Sequence, residues 1–151
     1  MIIFRYELNK LGLSIYHEQL ENGLNVYILP KNDVNNIYAT FTTNYGSNEV
    51  EFVPIGEKKM IKVPLGIAHF LEHKMFEQEN GVNSLDALTA LGVEANAYTT
   101  NDHTAYLFEC TDKFYEALDE FMDYVQHPYF TDENVEKEKA QQQKINMVKK
   151  T

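Results

Sequence analysis

The chain has a single cysteine, no tryptophan and little positive charge. A lone Cys110 excludes an intrachain disulfide and any cysteine-built zinc site. Thirteen Lys and Arg against 23 Asp and Glu leave a net charge of −10. That balance argues against nucleic acid, whose phosphates call for stripes of basic side chains. It equally disfavours an anionic membrane surface as a partner. No apolar run approaches ~18 residues, so no membrane-spanning helix is expected. The start of the chain, Met1-Ile2-Ile3-Phe4-Arg5-Tyr6-Glu7, has no long apolar core followed by small residues and does not read as a signal peptide. A cytoplasmic location is the simplest expectation.

What is present suits a folded domain. The chain has 151 residues, 44% of them apolar, with nine Phe and ten Tyr. That is one domain's worth of chain with enough apolar surface for a core. Residues 13–20 and 24–29 read as a hairpin turning at Glu21-Asn22-Gly23, with Pro30 ending the second strand. Residues 37–45, rich in β-branched and aromatic side chains, read as a third strand closed by Gly46-Ser47. Residues 48–64 are polar and contain Pro54, Gly56 and Pro64, which suggests a loop.

A helix is expected from Leu65 or Gly66 to about Glu77, with Ile67, Phe70 and Leu71 facing the core. Ser84 is placed to cap a short helix over 85–91, with Gly92 just past its end. Residues 93–99 and 103–110 form the clearest hairpin, turning at Thr100-Asn101-Asp102. Thr111 is expected to cap a third helix whose apolar stripe is Phe114, Leu118, Phe121, Met122 and Val125. His127-Pro128 stops it, and Thr131 starts a last helix. This order predicts an α+β fold in which an antiparallel or mixed sheet carries helices on one face.

The most informative stretch is His69-Phe70-Leu71-Glu72-His73. Helical residues four apart share a face, so His69 and His73 can aim both imidazoles at one point, with Glu72 on the same side. Two neutral imidazoles and an adjacent carboxylate suit a Zn²⁺ ion with a base beside its bound water. This H-x-x-E-H order is the inverzincin signature.

Further stretches stand around it in order: Asn22-Gly23-Leu24, Leu29-Pro30-Lys31, Tyr45-Gly46-Ser47, Gly66 to Phe76, Asn96-Ala97-Tyr98-Thr99, His103-Thr104-Ala105-Tyr106 and Pro128-Tyr129-Phe130. Together they make the chain resemble the N-terminal part of an insulinase/pitrilysin-type (M16) zinc metallopeptidase, from about Leu24 to about Glu138. The resemblance implies that His69 and His73 are zinc ligands and that Glu72 is the general base. It implies that the strand carrying Asn96, Ala97 and Tyr98 receives a peptide by β-augmentation, with Asn96 near the scissile carbonyl and His103 near the substrate. Asn96 as an ordinary strand-end amide and His103 as an ordinary hairpin-end histidine remain open. His17 and His127 belong to no motif and read as surface residues.

The resemblance also implies a third ligand, a Glu about seventy to seventy-seven residues beyond His73. That window, 143–150, reads Gln-Lys-Ile-Asn-Met-Val-Lys-Lys and contains no acid. The last carboxylate of the chain is Glu138, which resembles the family's supporting Glu. Either a shift of register brings Glu138 or Glu136 to the metal, or zinc is held by two His and water, the arrangement favoured here. The expectation is therefore a single, truncated M16-like N-terminal domain over 1–151. It would hydrolyse peptides through a zinc-activated water, or else act as a non-catalytic M16-like subunit or fragment that binds a peptide or a full-length homologue.

Overall fold

A computed structural model describes residues 3–8 and 10–148, with side chains up to residue 140. The fold is α+β, with antiparallel sheets and four helices, as expected. It divides into two compact units, Met1–Asn35 and Asn36–Thr151.

The first unit is a three-stranded antiparallel sheet in the order β1 (Phe4–Leu8), β2 (Leu13–Gln19), β3 (Asn25–Ile28). The β2–β3 hairpin is the one expected, with Gly23 at φ 88° in its turn. A side chain there would be strained, which is why glycine occupies it. Strand β1 was not anticipated, although Phe4, Tyr6 and Leu8 alternate with Arg5 and Glu7 at the period of two that marks a strand. His17 is not a bare surface residue. It pairs opposite Phe4 and Tyr27, stacks on the Tyr27 ring at 4.3 Å, and lies 2.9 Å from Asn25 Oδ1.

The second unit is built on β4 (Ile37–Thr43), β7 (Glu94–Thr99) and β8 (Thr104–Cys110), in the order β4-β8-β7 and antiparallel throughout. Register sets inward rows across the three strands: Ala39, Phe108 and Ala95; Phe41, Tyr106 and Ala97; Thr43, Thr104 and Thr99. The central strand supplies the large rings, and the edge strand β7 supplies alanines. Helices α1 (Ile67–Lys74) and α2 (Ser84–Ala90) both pack on β7. Helix α3 (Phe114–Gln126) packs on β8, and α4 (Asp132–Val148) packs on α1. The core gathers Phe76, Leu88, Val93, Tyr106, Phe108, Cys110, Ala117, Phe121 and Tyr124. Among the described residues no helix is long and apolar enough to cross a membrane.

Several local expectations need correction. The loop over 48–64 contains a small ladder of β5 (Glu51–Phe52) and β6 (Ile61–Lys62), in which Glu51 faces Lys62 as an ion pair. Asn83, not Ser84, caps α2, accepting the Leu85 N–H at 2.9 Å. Thr111 does not cap α3, whose first turn follows Lys113 at φ 54°. In α1 the buried residues are Ala68, Glu72 and Lys74, while Ile67, Phe70 and Leu71 are half-buried and outside the core cluster. The polar face of α1 is turned inward because Glu72 and Lys74 find partners there, which periodicity alone does not reveal.

Gly46 was anticipated only as a strand end, and its role is steric. A Cβ there would lie 2.4 Å from the Asp102 backbone nitrogen. Ser47 N–H donates to Thr100 O and Asn48 N–H to Asn101 O, so the segment after β4 lies directly on the β7–β8 turn.

Candidate metal centre

Helix α1 starts from Gly66, whose φ of 87° lets the chain turn out of Pro64-Leu65 into the helix. One turn later the 3.6-residue period brings His69 and His73 together. Their Nε2 atoms are 3.1 Å apart and the rings stand nearly perpendicular, at 86°. Two Zn–N bonds of about 2.05 Å at a tetrahedral angle would hold such nitrogens about 3.3 Å apart, so the spacing fits one small cation. Glu72 is 6% exposed and lies in the same group. Ligand atoms of His69, Glu72 and His73 all fall within 4.8 Å of one another.

Each member is held from outside the helix or left open to solvent. The Thr99 hydroxyl, on β7, donates to Glu72 Oε2 at 2.7 Å. His73 Nδ1 lies 3.2 Å from Oε1 of Glu138, which reaches over from α4 and is itself buried. With Nδ1–H of His73 directed at that carboxylate, its Nε2 would keep a lone pair facing the front of the helix. His69 is exposed and keeps the front of the group accessible. Below it, Tyr106 on β8 has its phenol pushed far up, first by burial and then by the negative charge of Glu72.

A cleft of about 420 Å³ adjoins the group, lined by Glu72, His73, Phe76, Asn96, Ala97 and Glu138 among others. Asn96 and Ala97 therefore come to the same cleft as Glu72, and the Asn96 Oδ1 accepts the Ala97 N–H at 2.8 Å. Tyr98, exposed like Asn96 on the outward face of β7, meets His103 edge-on at 5.8 Å. His103 sits in the hairpin turn, its Nδ1 2.7 Å from Asp102 Oδ1 and 2.9 Å from Thr100 Oγ1. The Thr100 hydroxyl, and after it His103, hold the Asp102 carboxyl below its ordinary range. Tyr98 and His103 are not among the residues lining the cleft.

Glu136 is exposed and pairs with Lys139 at 2.6 Å. The window 143–150, where a third ligand was sought, has its side chains outside the described residues.

Two residues of the site were not assigned a role from sequence. Thr99 is one; its inward position on β7, two residues beyond Ala97, was the available signal. Lys74 is the other. It is fully buried and ends 2.6 Å from Glu77 Oε2, an i,i+3 pair readable on the helix.

An antiparallel sheet packed by a helix bearing H-x-x-E-H, with a buried Glu beside two adjoining imidazoles, has the make-up of an inverzincin-type site. The sequence profile of Insulinase (Peptidase family M16) matches residues 53–151, and the chain belongs to that family. It is 49% identical over 142 residues to the "Uncharacterized zinc protease YmfH" of Bacillus subtilis, covering 93% of this chain and 33% of that protein. Its fold superposes with TM-score 0.82 and 41% identity on a crystal structure described as an M16-like peptidase from Alicyclobacillus acidocaldarius, over 95% of this chain and 33% of that one. Pitrilysin shares the fold at TM-score 0.66 and 20% identity, over 90% of this chain and 14% of its own. The chain thus spans about a third of the length of the first two relatives.

Proposed function

We propose that this chain carries the zinc-binding and proton-transfer groups of a metalloendopeptidase. The observation that carries this reading is the pair of facing Nε2 atoms, 3.1 Å apart, with a buried Glu72 beside them. His69 and His73 would hold the ion through Nε2. Zinc, when bound, would polarise a peptide carbonyl and acidify a water. Glu72 takes the proton from that water and returns it to the leaving amine. Glu138 orients His73 through Nδ1, so that Nε2 keeps its lone pair for the metal.

The substrate is read as an extended peptide. In its sheet β7 is an edge, paired only with β8, and Asn96 and Ala97 on it line the cleft beside Glu72. A peptide added to that edge would lie along the metal group. Asn96 is placed to meet a carbonyl of such a peptide. Tyr98 and His103 would bear on the peptide's other side chains.

The acid-free window 143–150 favours a second reading, in which zinc is held weakly and the chain binds peptides or an M16-like partner without cleaving them. Zinc content of the gel-filtered protein, beside His69→Ala, separates the two. Near one zinc per wild-type chain, lost in the variant, supports the first reading, and Glu72→Gln must then keep the metal while losing about 10²-fold or more in peptide hydrolysis. Little zinc in either protein leaves the second.

A further inference from the structure

The carboxylate of Glu72 is held by a hydroxyl from the sheet. Three oxygen–oxygen contacts link Glu72, Thr99, Thr104 and Tyr45. Thr99 Oγ1 is 2.7 Å from Glu72 Oε2, Thr104 Oγ1 is 2.8 Å from the Tyr45 carbonyl oxygen, and the two hydroxyls are 3.3 Å apart. Each threonine has one hydroxyl proton. Thr104 donates to the Tyr45 carbonyl oxygen and Thr99 donates to Glu72 Oε2, so the two short contacts each consume one. Thr104 therefore spends its proton on Tyr45, and Thr99 spends its own on Glu72. The 3.3 Å contact between the two hydroxyls is left without a proton.

Thr104 is thus a strut between β8 and the segment after β4. Thr99 is different, because its only proton ends on the proposed base. It stands opposite Thr104 in the β7–β8 ladder, so its backbone is fixed by the sheet. Its partner Glu72 is on α1, and the contact bridges helix and sheet. The bond occupies Oε2 and leaves Oε1 for other work.

We propose that Thr99 is a positioning residue that fixes the orientation of the Glu72 carboxylate, so that Oε1 is the oxygen presented for proton transfer. This rests on the reading of Glu72 as the base. Without the hydroxyl, Glu72 loses the bond that distinguishes its two oxygens and can rotate about its last torsion. A base turned away from its proton loses rate steeply, even where the metal and the substrate are held as before.

The test uses Thr99→Val, which keeps the shape and removes the hydroxyl, and Thr99→Ser, which keeps the hydroxyl. The first arm needs neither metal nor turnover. In metal-free protein, Thr99→Val lowers the melting temperature in the wild-type background but lowers it no further in a Glu72→Ala background. An equal loss in both backgrounds overturns the proposal, since the hydroxyl would then be acting on something other than Glu72. The second arm uses zinc-loaded protein and a fluorogenic peptide. Thr99→Val keeps full zinc and an unchanged KM while kcat falls about tenfold or more, and Thr99→Ser recovers most of it. Wild-type kcat in Thr99→Val, or equal damage in Thr99→Ser, overturns it. If wild type and Glu72→Gln are equally inert, the functional reading falls, and the melting comparison still decides whether Thr99 orients Glu72.

Discussion

Glu138 and Cys110 show how much a single side chain here depends on what lies behind it. Glu138 stands behind His73, on Nδ1. On the proposed reading it is the outer partner of a ligand and tunes affinity rather than supplying a bond to the metal. Glu138→Gln is then expected to take up one zinc at saturation with an affinity about 10–100-fold weaker, measured by competition with a chelator. Failure to bind zinc at any concentration would make Glu138 a ligand itself. Cys110 is buried at the end of β8, and burial, then Asp112, pushes its thiol up. The thiolate is the reactive form, so alkylation at pH 8 is expected to be slow in folded protein and fast once it unfolds. Rapid labelling under native conditions would contradict this. At this scale the sequence was legible where chemistry is local: the spacing of His69, Glu72 and His73 survives intact. It was silent on Thr99, 27 residues from Glu72, because only the packing of α1 on β7 brings them together.

Strand β8 is the element on which the second unit depends. It is the middle strand, and Thr104, Tyr106, Phe108 and Cys110 are all buried along one face. Against that face α3 sets Ala117, Phe121 and Tyr124. The stripe expected on α3 packs as read, with Phe121 in the core and Phe114, Leu118, Met122 and Val125 against it, but it missed Ala117 and Tyr124, because a small residue and a phenol do not stand out in a hydrophobic pattern. Burial raises the phenols of Tyr106 and Tyr124 above the usual value near 10, with Glu72 adding to the first and Tyr106 to the second. Since the folded values are raised, their burial contributes its full stability below about pH 10. That contribution is lost as pH rises through the folded values. Absorbance titration of the ten tyrosines should show two that ionise only as the fold is lost. Smooth titration of all ten before unfolding would argue against it. Among the described residues the buried Tyr124 hydroxyl has no hydrogen-bond partner, so Tyr124→Phe should be neutral or stabilising and move alkaline unfolding upward.

For the whole molecule, runs of strands followed by runs of helices predicted the α+β class, since each element carries its own period. It did not show that residues 1–35 form a sheet of their own, because β1 was passed over as an N-terminal run although Phe4, Tyr6 and Leu8 alternate with charges. The metal group lies wholly within Asn36–Thr151. A ligand that binds only the folded state stabilises by mass action, about 2.7 kcal/mol at a hundredfold excess over Kd. For a domain of this size that corresponds to a rise in Tm of roughly 5–10 °C. Zinc is therefore expected to raise the melting transition in calorimetry by that order, and His69→Ala to abolish the shift. If two transitions are resolved, the zinc-sensitive one must belong to residues 36–151, and truncating the chain to those residues should preserve it. An equal zinc shift in His69→Ala would place the metal elsewhere and remove the basis for reading His69, Glu72 and His73 as one centre.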